Sequence, residues 1–568
     1  LSLSLSLSLS LSLSSGVFMS IEHIVISLNV VIQQTQTNTY LYLEYPFLIA
    51  ESKVEVFYVQ CVLADTESQT HAVGGQTPTC AGVQASVVAV DRDRGVFATS
   101  KALRYQRAMA VDSSFIWLRP ATEMEELLDC ANKKGLFVTV YGLTLRSSVP
   151  LTDSHIEETL RHTFRKVPSL RTCFRKRGDT LWACDMNREQ LDFQVTDTRE
   201  LVSAAEALLH YHFPTTEGPL WCARLLSAGA PGRCSRPDLA ATFPHTRTLL
   251  LANHHGIADG TTNMFVTNVF LQVLDDVLAG KPVDDTVQLG KVVAGEETKA
   301  LLTAKIEELT KDEDRFKQLQ DDIIKAQQAE KLIPRTYPMP RDPNFKCQIV
   351  LRDLDKDSTM TFIRKCKQEG VTVNSGLASV FNVSLVDFVR EGGLQQDFYR
   401  IRELHTVSLR RNWSGDTSGT LGVHMMALEN NISTPARWRD NFWEYARGMH
   451  KSLSQAIHGN DALMYVVSMS LEGSIEDHFK ERPMPECDYG SANMGNADRL
   501  IPTEGQHVRL AHLLRATSCW NDPMYYLFHT LHGCFMYGLT YASDILSREN
   551  AQKLVDKIFD NLLAVTQM

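Results

Sequence analysis

The chain has 568 residues, enough for two or three ordinary domains or for one large two-lobed domain. Hydrophobic residues make up 44% and charged residues 22%, which is typical of a globular protein, and the net charge of -10 argues against a nucleic-acid partner because phosphate contacts need clustered Lys and Arg. The 12 cysteines include no Cys-x-x-Cys pair, so neither a zinc nor a redox motif is present, and we expect a reducing compartment, the cytoplasm.

The first 114 residues carry no pattern typical of a folded domain. Residues 1–14 are Leu-Ser repeated seven times, as a CT dinucleotide repeat gives when translated in frame, which indicates translated non-coding sequence. A signal peptide fits less well, because its apolar stretch should be continuous and follow basic residues. Residues 17–32 are interrupted by Glu22 and His23, too short and too polar for a stable membrane span. We interpret 1–114 as a low-complexity, poorly ordered leader or a mispredicted one.

The globular pattern begins near Phe115, and residues 115–281 are predicted to form an N-terminal lobe of alternating helices and strands. One of its helices starts with the capping-box pattern Ser154-x-x-Glu157 and ends at Val167-Pro168. The other elements predicted before residue 180 are a helix over 122–134, a strand over 135–143 and a strand over 170–174.

A polar loop between two apolar segments stands out at residues 249–260. The run Leu249–Ala252 predicts a buried strand, and the loop after it carries two adjacent histidines and an Asp-Gly pair. In the next segment, apolar residues lie almost all round a 3.6-residue period up to Leu278, which predicts a buried helix. Gly280 and Pro282 are suited to end that helix. Such an arrangement holds a loop side chain rigidly at the mouth of a cavity.

Residues 282–345 are rich in Glu, Lys, Asp and Gln and predict a charged helical connector, with an exposed helix over 296–330. Residues 346–568 are predicted to form a C-terminal lobe. Its predicted elements are a strand from 347, a helix over 357–369, a buried helix opened by the Val-Thr-Val-Asn run at 371–374, a strand over 406–411, a turn over 491–496, a strand over 533–541 and a helix over 548–565.

The loop sequence His-His-x-x-x-Asp-Gly at 254–260 resembles the motif of the chloramphenicol acetyltransferase-like superfamily, which includes condensation domains, alcohol O-acetyltransferases, wax ester synthases and the BAHD acyltransferases. The Pro-Ser-Leu-Arg run at 168–171, the Gly-Pro-Leu-Trp segment at 218–221 and the Ser-Ala-Asn-Met-Gly run at 491–495 are also similar to segments of this family. The BAHD motif Asp-Phe-Gly-Trp-Gly is absent, so the resemblance is closest to the alcohol O-acetyltransferase and condensation-domain branch.

This resemblance implies an α/β fold of two chloramphenicol acetyltransferase-like lobes, each a mixed sheet with helices, which form a pseudo-dimer with a tunnel between them. It implies transfer of an acyl group from a thioester, with acyl-CoA expected as co-substrate, to a small-molecule alcohol. No permanently bound cofactor is implied. By the family's motif His255 is the general base, a role that suits imidazole because its ordinary pKa leaves it largely neutral at physiological pH.

The roles of the other loop residues have alternatives. His254 either supports the loop or contacts the reacting groups. Asp259 either orients His255 as a dyad or, as in the family, pairs with an arginine and holds the loop; we favour the second interpretation, with Arg410 or Arg411 as the partner.

Three further residues are expected at the site, Gly260, Asn493 and Gly495. Gly260 lets the backbone approach closely where a Cβ would block it. Asn493 and Gly495 are candidates for lining the tunnel, although a plain surface turn explains them nearly as well.

The sequence leaves two further functions open. A condensation-type enzyme would use an amine acceptor or a donor bound to a carrier protein, and a binding protein would keep the fold without turnover. His-x-x-x-Asp could supply two metal ligands, but no third ligand lies at a recognisable spacing, so no metal site is predicted.

Overall fold

The computed structural model describes four strands before residue 90 and residues 114–568, apart from 228–232, 234–235, 341–344, 460–478, 480–484 and 521. The chain divides into two compact units, Leu1–Val111 and Asp112–Met568.

The first unit contains one antiparallel sheet in the order β1-β2-β3-β4. Its strands are β1 Asn29–Gln34, β2 Thr39–Pro46, β3 Val56–Val62 and β4 Gln84–Ala89. The sequence analysis predicted no regular structure here, and these four strands differ from that expectation. Their sequences are rich in Val and Tyr, which favour strands, but lack the strict apolar–polar alternation by which a half-buried strand is found.

The second unit alternates strands and helices throughout. Its strands are β5 Phe115–Pro120, β6 Val138–Ser147, β7 Thr172–Arg177, β8 Thr180–Met186, β9 Phe193–Thr196, β10 Trp221–Leu226, β11 His245–His254, β12 Lys291–Val292, β13 Cys347–Leu354, β14 Phe398–Ser408, β15 Thr420–Leu421, β16 Met425–Pro435, β17 Tyr489–Asn496, β18 Val508–Thr517, β19 Met524–Leu531 and β20 Cys534–Ala542. Its helices are α1 Glu123–Asn132, α2 Asp153–Lys166, α3 Leu201–Leu208, α4 Gly260–Leu278, α5 Glu296–Thr310, α6 Glu313–Gln328, α7 Leu332–Thr336, α8 Lys356–Gln368, α9 Val373–Glu391, α10 Phe442–His458 and α11 Arg548–Val565.

Two predicted helix details are corrected. Helix α2 begins two residues earlier than predicted, because its capping box joins Thr152 and His155 rather than Ser154 and Glu157. The single exposed helix predicted over 296–330 is two helices, α5 and α6, with a break after Thr310.

Each lobe is built on one sheet. The first has five strands in the order β18-β6-β11-β10-β9, and the second has six in the order β13-β20-β19-β17-β14-β16. The strand β18 lies beyond residue 346 in sequence but pairs with β6 from Val508 to Thr517, so the C-terminal half of the chain contributes an edge strand to the N-terminal lobe. The position of β18 in the first-lobe sheet differs from the predicted lobe boundary at residue 346, and it links the two lobes.

The core of the second lobe lies between helix α9 and its sheet. Phe381 on α9 is fully buried, with its ring 4.5 Å from that of Tyr526 and 5.3 Å from that of Phe528. Close aromatic packing of this kind stabilises the fold through both buried area and ring geometry. Among the described residues no single helix is both long enough and apolar enough to cross a membrane. Helices α8 and α9 meet the two criteria only when they are taken together, and the pair is bent by 104°.

We expect Phe381→Ala to lower the free energy of unfolding by about 3–5 kcal/mol, because it opens a cavity in a packed core. Urea unfolding followed by fluorescence measures the change. Phe398 is 63% exposed, so Phe398→Ala is the matched control and should change stability by less than about 0.5 kcal/mol. Equal effects of the two substitutions would contradict the packing described here.

Candidate active site

The histidine loop leaves the centre of the first-lobe sheet. Strand β11 pairs antiparallel with β10 on one side and with β6 on the other, and Leu249–Ala252 is buried as predicted. The side-chain amide of Asn253 donates to Asn263 Oδ1 at 2.9 Å, which ties the end of the strand to helix α4. A central strand and a buried helix therefore hold the loop between them in a fixed position.

His254 is a buried support of this loop. It is fully buried between Phe174 and Phe213, and its Nδ1 accepts the Gly256 N–H at 2.9 Å. Burial, with the neighbouring charge of His255, lowers the pKa of His254 to about 3, so the ring is neutral. The side chain is not among those that line the cavity described below, which favours the supporting role over contact with the reacting groups.

Asp259 caps helix α4 and does not orient His255. Its Oδ1 accepts the Thr262 N–H at 2.9 Å, while Oδ2 accepts Arg410 Nη1 at 2.5 Å and the His424 N–H at 2.9 Å. Burial alone would raise the pKa of Asp259, but the charge of Arg410 and these hydrogen bonds outweigh it and hold the pKa below its ordinary value. The dyad alternative is thereby rejected, and the carboxylate has a structural role.

Arg410 reaches Asp259 from the second lobe, and Arg411 does not. Arg410 Nε donates to Thr420 Oγ1 at 2.9 Å, and Nη2 donates to Thr262 Oγ1 at 3.2 Å, so the guanidinium joins both lobes. Arg411, the next residue, is exposed and lines the cavity. The side chains of these two neighbouring arginines point in different directions, and the sequence alone could not show which of them contacts Asp259.

A cavity of about 720 Å³ lies between the two sheets and is lined by both lobes. First-lobe residues on its wall include Thr139, Tyr141, His255, Gly260 and, on the edge strand β18, Arg515; second-lobe residues include His405, Ser491, Asn493 and Gly495. Its volume suits a small ligand of the size that enzyme pockets usually hold. Within the described part of 114–568, no three His, Cys, Asp or Glu side chains are grouped so that they could hold a metal ion.

His255 is the histidine of the pair that faces this cavity, with its ring partly exposed there. Its Nδ1 is buried near the carbonyl oxygens of His255 and Ala258 without a well-aligned hydrogen bond. Burial lowers the pKa of His255, and those carbonyls and the charge of Asp259 offset this only in part. The imidazole is therefore neutral at physiological pH and able to accept a proton.

The small residues predicted for the site all lie on the cavity wall. A Cβ on Gly260 would lie 2.8 Å from Met494 Sδ, so glycine permits the close approach of the two lobes. Asn493 donates to Asn374 Oδ1 at 2.9 Å and accepts the Gly495 N–H at 2.7 Å. These two residues belong to strand β17, not to a turn as predicted, because the strand continues through an irregularity between Asn493 and Asn496.

Sequence analysis missed three residues of the second lobe. Ser491 Oγ lies 2.8 Å from His405 Nδ1, and His405 Nε2 lies 2.6 Å from Glu403 Oε2. Glu403 and His405 are two residues apart on strand β14 and so share one face of the sheet, a spacing visible in the sequence. Their contact with Ser491, 86 residues away from His405, depends on the pairing of β14 with β17 and could not be predicted.

No family model matches the chain, and no curated protein matches it by sequence. Solved structures do match it. The trichothecene 15-O-acetyltransferase of Fusarium sporotrichioides is 14% identical, with a TM-score of 0.58 over 80% of this chain and 99% of that one. The condensation domain of a monacolin K polyketide synthase is 13% identical, with a TM-score of 0.55 over 80% and 98%. The chain has the condensation-domain fold. The predicted α/β fold class is thereby confirmed.

A third match shares this fold and was solved with thioesters. The starter condensation domain of rhizomide synthetase, in complex with C8-CoA and Leu-SNAC, is 12% identical, with a TM-score of 0.51 over 80% of this chain and 95% of that one. At these identities the likeness establishes the fold.

We expect Arg410→Met to lower the free energy of unfolding by about 3–5 kcal/mol, because it leaves the Asp259 carboxylate buried without its charged partner. Arg411→Met removes the same charge from an exposed neighbour and should change stability by less than about 0.5 kcal/mol. Chemical denaturation of both variants and the parent chain gives the comparison. A similar loss in both variants would show that the buried pair is not what stabilises the loop.

Proposed function

We propose that the chain is an acyltransferase that moves an acyl group from a thioester, with acyl-CoA as the expected donor, to an alcohol. The observation that carries the proposal is the different placement of the loop residues: His255 faces the cavity between the lobes, whereas His254 is buried and Asp259 is bonded to Arg410. The loop thus presents a single neutral imidazole to a bound ligand.

The proposed step needs one general base. The acceptor hydroxyl attacks the thioester carbonyl while His255 takes its proton, the C–S bond breaks, and the imidazolium returns a proton to the leaving thiolate. Donor and acceptor would enter the cavity from opposite sides of the lobe junction. The route needs no covalent intermediate on the enzyme and no bound metal, and it is consistent with a matching structure that is named as an O-acetyltransferase.

A condensation-type reaction with an amine acceptor is the second candidate. It is favoured by the condensation domains among the matching structures, those of a monacolin K polyketide synthase and of rhizomide synthetase. In that case a carrier protein would deliver the donor. A binding protein without turnover is disfavoured, because such a protein would not need His255 kept neutral at a cavity wall.

We expect His255→Ala to slow acceptor-dependent thiol release by about 100-fold to 10,000-fold, the usual contribution of a general base. Thiol release from acyl-CoAs of several chain lengths, with a panel of alcohols and amines, measures this and identifies the acceptor class. His458→Ala is a matched control because His458 is exposed at the end of helix α10. Unchanged acceptor-dependent release in the His255 variant would refute its role as the base.

The pH dependence of transfer should reflect the lowered pKa of His255. Protonation inactivates a base, so kcat/KM should fall as the pH drops through that pKa, and the fall should lie below the ordinary histidine value of 6.5. Initial rates from neutral into acidic buffer, at saturating donor, test this. An acid limb centred above 6.5 would contradict burial as the dominant influence on this ring.

A further inference from the structure

Three side chains of the second lobe form a hydrogen-bonded row that ends at the cavity. Ser491 Oγ and His405 Nδ1 are 2.8 Å apart, and His405 Nε2 and Glu403 Oε2 are 2.6 Å apart. Ser491 and His405 line the cavity, and Glu403 is fully buried behind them. A nucleophile in contact with a base that is held by a carboxylate is the arrangement that activates serine in unrelated hydrolases.

The bonds around Glu403 determine which nitrogen of His405 carries the proton. Glu403 Oε1 accepts amide N–H groups from Asn382 at 2.7 Å and from Asn430 at 3.2 Å. The orientation of the Asn382 amide is supported by Tyr489, whose hydroxyl donates to its Oδ1 at 2.7 Å. With Oε1 occupied by two amide donors, Oε2 is the oxygen left to accept the Nε2 proton of His405. Nδ1 is then free to accept the proton of Ser491.

Strand geometry accounts for this placement. Glu403 and His405 project from the same face of β14, and Ser491 on the parallel strand β17 is the register partner of His405. Arg515 adds positive charge nearby: it lines the same cavity, and its Nη1 donates to the carbonyl of Ala492, the residue after Ser491, at 3.3 Å. A developing oxyanion beside Ser491 would be favoured by this charge.

From this geometry we propose that Ser491, His405 and Glu403 form a second catalytic centre, which hydrolyses acyl thioesters through an ester on Ser491. The activity goes beyond the proposed transfer, since it needs neither an alcohol acceptor nor His255. It rests on the proposed function only in taking an acyl thioester as the donor. Ser491 and His405 are the catalytic residues, and Glu403 is a positioning residue.

The reaction has two balanced steps. Ser491 Oγ attacks the thioester carbonyl and its proton passes to His405 Nδ1; the C–S bond breaks, and the thiolate leaves with that proton as a free thiol. Water then attacks the serine ester and gives a proton to Nδ1, the C–Oγ bond breaks, and Ser491 recovers the proton as the carboxylic acid leaves. Glu403 stabilises the imidazolium in both steps.

A fluorophosphonate tests the nucleophile without knowledge of the acyl group, because it phosphonylates activated serines and loses fluoride. We expect the full-length chain to take up one label, located at Ser491 by peptide mass spectrometry. His405→Gln should slow labelling by about 100-fold or more, since the base is lost. Ser379→Ala is the matched control: Ser379 is an equally buried serine that donates to the Ser375 carbonyl within helix α9, and its loss should leave the rate unchanged.

Glu403→Gln separates positioning from general stability. The amide cannot accept the Nε2 proton as a carboxylate does, so labelling should slow by about 100-fold or more and its pH profile should differ from that of the parent chain. An unchanged pH profile in this variant would overturn the role of Glu403. Melting temperatures of all variants show whether a loss reflects unfolding.

Acetyl-CoA without acceptor completes the test. We expect slow thiol release together with an acetyl ester on Ser491, both absent in Ser491→Ala and both kept in Ser379→Ala. Label on another residue, no label, or equal acceptor-independent release in Ser491→Ala would overturn the proposal. Failure of the transfer proposal gives a different result, because it concerns only acceptor-dependent release and its loss in His255→Ala.

Discussion

The buried ion pair between Asp259 and Arg410 is the constraint on which the rest of the site depends. Both groups are almost fully buried, and burial of unpaired charge is costly, so each must find its partner for the lobes to dock. The pair crosses the lobe junction and is completed by the backbone of the second lobe at His424. The histidine loop of the first lobe therefore takes its shape from a residue 151 positions later in the chain.

This constraint explains why two adjacent histidines have different environments. With Asp259 held by Arg410, the short turn from His254 to Ile257 is confined between the strand end and the helix start. The first ring is packed between Phe174 and Phe213, and the second lines the cavity. Desolvation keeps both rings neutral, but only the second has space beside it for a substrate. The position of each histidine relative to the end of strand β11, rather than its residue type, determines whether it supports the loop or faces the cavity.

The sequence predicted what depends on local pattern. The buried run Leu249–Ala252, the helix after it and the last helix, 548–565, all lie where hydrophobic periodicity and end signals indicate. It did not predict strand β17, because Gly and Asn within Tyr489–Asn496 are typical of turns. Nor did it predict that β18 joins the other lobe's sheet, since that choice depends on pairing with β6, far away in sequence.

The residues of the candidate site are also predictable only where they depend on local sequence pattern. A motif of seven consecutive positions can be found in a single sequence, whereas Ser491, His405 and Glu403 are brought together only by the parallel pairing of two strands. One cavity is lined by a histidine from each lobe, His255 from the first and His405 from the second, and each is the base in one of the two proposed reactions. For a thioester bound between the two histidines, the choice between acyl transfer and hydrolysis would depend on which nucleophile lies beside the thioester carbonyl. A bound alcohol would exclude water from the Ser491 side and favour transfer, and an empty acceptor site would leave the thioester to Ser491 and to water.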